Sequence, residues 1–228
     1  MHRLLRHLEA EGFPGSPRFL GVDDKGREIL SYIEGVAGLH PFSPLVRTSG
    51  ALVESVRLMR HYHDCTTSMR GLTGPWPGES RLDLPVEVVC HRDLAPYNFI
   101  YRDGSPVGII DFDNARPGSR IEDVAYFAYR SAPLSAECNY ADAGWPGGTD
   151  WLGRLQVILE QYGEMDYSAL VDIVIVRLAE MISWIRTRAD RGDPSVAVHV
   201  AEDHIGIYKA DLAWIRANIV RLRAVTAA

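Results

Sequence analysis

The run His91-Arg92-Asp93-Leu94-Ala95-Pro96-Tyr97-Asn98, followed shortly by Ile109-Ile110-Asp111-Phe112-Asp113, decides how this chain is read. Asp103-Gly104 lies between two apolar runs, Phe99 to Tyr101 and Val107 to Ile110, and is a strong hairpin turn signal. Asp93 and Asn98 then sit on the loop entering the hairpin, and Asp111 ends its second strand, so their oxygens are expected to converge. That set suits phosphoryl transfer. A carboxylate orients a hydroxyl and takes its proton, while an amide oxygen and a second carboxylate hold magnesium, a hard cation that prefers oxygen ligands, against a nucleoside triphosphate. Asp93 is the expected catalytic base, and Asn98 and Asp111 are expected metal ligands. Asp113 has two equal readings, contact with a second metal or orientation of the loop.

Working outward, 228 residues of which 46% are hydrophobic can bury a sizeable core as one globular unit, with room for a small appended lobe. No run approaches the roughly 20 apolar residues of a membrane span, so no membrane partner is expected. Met1-His2-Arg3-Leu4-Leu5-Arg6 turns polar too soon for a secretory leader, which points to a cytoplasmic location. Cys65, Cys90 and Cys138 show no Cys-x-x-Cys spacing and read as buried small apolar residues. A net charge of −6 argues against nucleic acid and suits a cationic small molecule better.

Helical spacing of Leu4, Leu5 and Leu8 predicts a helix over residues 2–11, stopped by Gly12 and Pro14. Strands are expected from Arg18 to Val22 and from Glu28 to Ile33 around Asp23-Asp24-Lys25-Gly26. Leu52, Val53, Val56 and Met59 mark an amphipathic helix from Pro44 to about Cys65, with His61 and His63 read as helix-end hydrogen-bonding groups. Thr73 to Pro85 reads as a loop with Trp76 as a packing anchor, and Val86 to Cys90 as a short buried strand. After Asp113 a helix begins near Ile121, which leaves no room for a long peptide-docking loop and favours a small hydroxyl acceptor. Helices are further predicted over Asp150 to Gln161, Ser168 to Arg188 and Val196 to Leu222. The acids Glu137, Asp142, Asp150, Glu160, Glu164 and Asp166 face a single Arg154; they line an amine-selecting cleft or form a solvated surface. Tyr140, Trp145 and Trp151 nearby serve either as a ligand cover or as core.

Val88 to Tyr129 resembles the core of the aminoglycoside phosphotransferase and choline kinase family, small-molecule relatives of protein kinases. Gly12-Phe13-Pro14 to Gly35 resembles that family's last upper-lobe helix, strand pair and hinge. The C-terminal third is similar in style to bacterial phosphotransferase-like proteins that include the trifolitoxin immunity group. The resemblance implies an α/β (α+β) protein-kinase-like fold, with a reduced N-lobe and hinge over residues 1–35 and a mainly helical C-lobe over 36–228. It implies transfer of the terminal phosphoryl group of ATP or GTP with Mg2+. It also implies that His91 fixes the loop rather than performing chemistry, and that Asp123 caps its helix or braces the catalytic loop. Tyr32, Ile33 and Glu34 would offer backbone groups to adenine, with Ile110 beneath the ring.

The family's glycine-rich loop and phosphate-pairing lysine have no counterpart. Gly71, Gly74 and Gly78 follow no predicted strand, and the lysines are Lys25, at a turn, and Lys209. Three explanations stand: a true start upstream of Met1, a weak kinase that uses Arg3, Arg6 or Arg27 on the phosphates, or a pseudokinase-like binding or immunity module. The shortened upper lobe also predicts a strand edge covered by a loop, by the C-lobe, or by another copy of the chain, the last giving a homodimer.

Overall fold

The computed structural model describes residues 1–71, 76 and 83–227. The loop expected over Thr73 to Pro85, and Gly74 and Gly78 within it, fall almost wholly outside the described residues; Trp76 is half-buried and packs against the core. The fold is mixed α/β and protein-kinase-like.

Helix α1, His2–Ala10, turns Leu4, Leu5 and Leu8 into the core beside α2, Ser49–Thr66, which contributes Leu52, Val56 and Met59. Each fully buried Leu stabilises the fold by about 1.5–3 kcal/mol relative to leaving it in water. Strands β1, Phe19–Val22, and β2, Glu28–Leu30, form an antiparallel pair of their own. The second strand stops three residues short of the expected Ile33, which frees the chain for the hinge. Leu20, Val22 and Ile29 of this hairpin are exposed, while α1 touches it through His2, which stacks on Phe19 and pairs with Glu28.

Strand β3, Val36–Ala37, missed from sequence because two residues carry no period, adds to a sheet of order β3-β5-β6. Here β5 is Phe99–Arg102 and β6 is Ser105–Ile109, the hairpin predicted around Asp103-Gly104. Strand β4, Val88–Cys90, pairs with β7, Arg116–Gly118, another element too short to show a pattern. These two sheets hold the intervening loops from both sides.

Gly38 marks where the hinge segment crosses the catalytic loop. A Cβ there would lie 2.4 Å from the Pro96 carbonyl oxygen, far inside van der Waals contact. We expect Gly38→Ala to cost about 1–3 kcal/mol through overpacking. Thermal unfolding should show this as a fall of about 2–4 °C per kcal/mol; an unchanged midpoint would mean the crossing gives way freely.

The helical body follows: α3 (Arg120–Ser131), α4 (Glu137–Asp142), α5 (Trp151–Tyr162) and α6 (Leu170–Ala189). The single helix predicted over Val196 to Leu222 is instead a 3-10 turn at Pro194–Val196 and three helices, α7 (Ala197–Ala201), α8 (His204–Ala217) and α9 (Ile219–Thr226). Asp203, in the left-handed region at φ 48°, breaks it and caps α8 by accepting from Gly206 N. An aspartate tolerates that conformation and competes for backbone donors, and periodicity does not register either property. Of the cysteines only Cys90 is buried; Cys65 is half-buried and Cys138 exposed, and all are free. Among the described residues no helix is long and apolar enough to cross a membrane.

Candidate active site

Two left-handed residues that are not glycine flank the site: Arg92 at φ 73° and Asp111 at φ 64°. Such conformations cost about 1–3 kcal/mol each and persist only where neighbours impose them. At Arg92 the neighbours are explicit. Asp123 of α3 accepts from His91 N (2.6 Å) and Arg92 N (2.7 Å), Arg177 of α6 donates to the Arg92 carbonyl (2.8 Å), and the Arg92 guanidinium pairs with Glu122. Of its two expected roles, Asp123 therefore has that of brace. The α3 cap is made by Glu122, which accepts from Ser119 N at 3.1 Å, while Glu87 accepts from Arg120 N.

His63, in the last turn of α2, hydrogen-bonds as expected, but to partners on other helices and not to its own helix end. It is fully buried, donates through Nε2 to Asp123 (3.0 Å) and meets the Tyr162 hydroxyl through Nδ1 (2.7 Å). His61 is exposed and lies edge-on to Phe13. Burial alone would push the Asp123 carboxyl up, but the His63 hydrogen bond and charge, with His91 and the Arg92 amide, outweigh it and hold Asp123 below the usual carboxylate range.

His91 ties the two halves of the site together, as its Nε2 lies 2.9 Å from the Ile110 carbonyl, while Ile110 N donates to the Asn98 carbonyl at 2.9 Å. Asp93 is half-buried. The Tyr97 hydroxyl donates to its Oδ1 (2.8 Å), and the Asn98 amide nitrogen donates to its Oδ2 (3.0 Å) and its backbone carbonyl (2.8 Å). Because the Asn98 nitrogen is spent on Asp93, its oxygen is the atom left for a metal.

Asp111 and Asp113 are exposed. Partial burial first, then the Asp111 carboxylate and Glu28, push the Asp113 carboxyl up. Asp111, Asp113 and the Asn98 amide oxygen are hard oxygen donors, the chemistry that magnesium prefers. Among the described residues no group of three or more His, Cys, Asp or Glu is arranged to hold a metal, so the fit rests on two acids, one amide and retained water.

The hinge residues are less convergent. Tyr32 is 83% exposed, Ile33 packs over Gly108, and the Glu34 carbonyl accepts from Arg102 at 2.9 Å. Ile110 is half-buried. Of the substitute cations considered, Arg27 is bound to Asp23 in the hairpin turn and Arg6 stacks on Phe19, so neither is directed to phosphate; Arg3 is exposed.

The acidic cleft is not formed. Glu137, Asp142, Asp150, Glu160, Glu164 and Asp166 are all exposed; Asp150 caps α5 and Asp166 accepts from Ser168 N. Arg154 does not face them but donates to the Ser131 and Arg47 carbonyls. Tyr140 and Trp145 form a small core with Phe42, and Trp151 packs on Trp214. Sequence reasoning missed Tyr126 and Arg130, which follow the recognised motif on α3, and Arg177 on α6. The spacing of Tyr126 and Arg130, one helical turn apart, was the available signal.

Comparison with known proteins agrees with the fold. Residues 76–155 match the sequence profile of the phosphotransferase enzyme family. A trifolitoxin immunity protein from Rhizobium leguminosarum bv. trifolii is 32% identical over 166 residues, 70% of this chain. The chain spans 62% of the length of that relative. A choline/ethanolamine kinase family protein from Mesorhizobium loti superposes with a TM-score of 0.62 at 14% identity, over 98% of this chain and 80% of that one. Amicoumacin kinase hAmiN, solved with AMP-PNP, Ca2+ and Ami, gives 0.58 at 13% identity over 91% and 76% of the two chains. At such identities the likeness shows the fold.

Proposed function

We propose that this chain, whose residues 76–155 match the phosphotransferase enzyme family, transfers the terminal phosphoryl group of ATP or GTP to the hydroxyl of a small molecule. The observation that carries the reading is the clamp on Asp93: each of its carboxylate oxygens accepts one hydrogen bond, from Tyr97 and from Asn98. A carboxylate so fixed has a lone pair free on each oxygen, and one of them can orient an incoming hydroxyl and take its proton. Asp123 sets the loop that presents it. Asn98, Asp111 and Asp113 would hold magnesium, which when bound supplies charge neutralisation on the triphosphate. The chain from Ser31 to Gly35, with Ile110 beneath, would take the nucleotide base; Glu34 must then release Arg102 or offer a neighbouring backbone group.

A second reading, a binding or immunity module, is favoured by a specific observation. Lys25 is exposed at a hairpin turn and Lys209 is exposed on α8, so no lysine stands where a kinase places one on its phosphates. The name of the trifolitoxin immunity relative is compatible with either reading, since a kinase that modifies a toxin and a protein that binds it would both protect. The test is incubation of the protein with γ-labelled ATP or GTP, Mg2+ and a panel of small alcohols. Label should move to an alcohol and transfer should stop when EDTA removes the metal. Nucleotide-independent binding of an alcohol, with no label transferred under any condition, would leave the binding module as the answer.

A further inference from the structure

The wall beside Asp93 carries positive charge. The hydroxyls of Tyr97 and Tyr126 meet at 2.9 Å, and Tyr97 donates to Asp93. A guanidinium stacks on each ring: Arg130 Cζ is 5.7 Å from the Tyr97 centroid, and Arg177 Cζ is 5.4 Å from that of Tyr126. Neither forms an ion pair among the described residues. Each also holds a buried Nε with no hydrogen-bond partner. The Nε of Arg154, by contrast, donates to the Ser131 carbonyl. Arg130 spends one terminal nitrogen on His40 Nε2 at 2.6 Å. Burial and then the Arg130 charge push His40 down to about 4, so at neutral pH its ring accepts this bond and adds no charge. His40 is exposed and Tyr97 and Asp93 are half-buried, which opens this end of the wall to solvent.

We propose that the acceptor is an anionic alcohol, a small hydroxyl compound bearing a carboxylate or a phosphate, whose charge lies against Arg130 and whose hydroxyl lies on Asp93. The idea rests on Asp93 as the base and replaces the cationic acceptor that net charge and the six scattered acids had suggested. An ammonium group laid against Arg130 would meet a guanidinium that no ion pair offsets among the described residues, and like charges brought together repel; Arg177 lines a separate pocket with Glu122 and Glu180. In the transfer, the acceptor oxygen bonds to the terminal phosphorus as the bond from that phosphorus to the bridging oxygen breaks. The bridging electron pair leaves with the nucleoside diphosphate and the hydroxyl proton passes to Asp93.

The test is calorimetric titration of the full chain, at low salt, with glycerate, glycerol 3-phosphate, glycerol and choline. We expect at least one of the two anions to bind about tenfold or more tightly than choline, as a charge-assisted contact would give. The ranking of glycerate against glycerol 3-phosphate separates a carboxylate from a phosphate preference. Arg130→Gln should abolish the preference for the anion and Arg130→Lys should retain most of it. If Arg130→Gln does not fold by circular dichroism, His40→Ala decides, since removing the ring that occupies Arg130 should tighten anion binding. Choline binding as tightly as either anion, no binding of either anion, an unchanged preference in folded Arg130→Gln, or anion binding untouched by His40→Ala overturns the proposal. Binding needs no turnover, so anion selectivity without label transfer would sink only the phosphotransferase reading, and transfer to a cationic alcohol would sink only this one.

Discussion

Asp93→Asn should leave a folded protein that transfers phosphate about 10²–10⁴ times more slowly, the range lost when a positioned general base is removed. The substitution is nearly isosteric: its one remaining oxygen can still accept from the Asn98 amide, while its new NH2 can donate to the Tyr97 hydroxyl, which accepts as well as donates, and the half-buried site loses little packing. Stability should therefore move by less than about 1 kcal/mol, well below the change in rate. The informative pair of measurements is kcat under saturating nucleotide and the thermal midpoint of the same preparation. A rate within threefold of the wild type would remove Asp93 from the chemistry. A parallel collapse of midpoint and rate would mean that its carboxylate holds the loop and does not act on the substrate.

What could be seen in the sequence divides along the range of the interactions. The β5–β6 hairpin was legible because Asp103-Gly104 and the flanking apolar runs are local signals, each decided within a few residues. Helices α1, α2, α5 and α6 were legible because an apolar stripe over nine or more residues fixes both the period and the buried face. Strands β3 and β7, two and three residues long, exist only because β5 and β4 lie alongside them, and a pattern that short carries no period. The three acids and the amide of the motif stand out by their spacing, and Asp123 and His91 were expected to hold the loop, whereas the partners that hold it from other elements left no local signal. His63 is 60 residues from Asp123 and Arg177 is 85 from Arg92, so neither partnership leaves a trace in local spacing. The acidic run between Glu137 and Asp166 misled for the opposite reason: acids crowded in sequence were turned outward by three different segments. Charge clustering along a chain says little about charge clustering in space.

Asp123→Ala should be the more damaging change to the fold, although Asp123 touches no substrate. The carboxylate is fully buried and takes three hydrogen bonds, from His63 Nε2, His91 N and Arg92 N. Alanine leaves all three donors buried without an acceptor, and loss of one partner from such a set costs about 3–5 kcal/mol. For a chain of this size that corresponds to a fall in thermal midpoint of about 6–20 °C. The backbone consequence matters as much. Arg92 holds its left-handed φ of 73° against a steric penalty, and without Asp123 the restraint falls to the Arg177 contact and the Glu122 pair. Asp93, the next residue, should then lose its place before the protein unfolds, so activity should fall at temperatures where helicity is intact. The pH dependence gives an independent check. The Asp123 carboxyl is held below its ordinary value of 3.8 in the folded state, so the unfolded chain takes up a proton first as pH falls. Its stabilising contribution is complete well above that value and drains away as pH drops through the folded pKa. Wild-type stability should therefore decline below about pH 4 with a component that Asp123→Ala lacks. His63→Ala should remove part of the same energy, and the double variant should cost much less than the sum of the two single changes, because the side chains share one network. Strict additivity in that cycle would show that His63 and Asp123 act apart, and the brace beneath the catalytic loop would have to be sought in Arg177 and Glu122 alone.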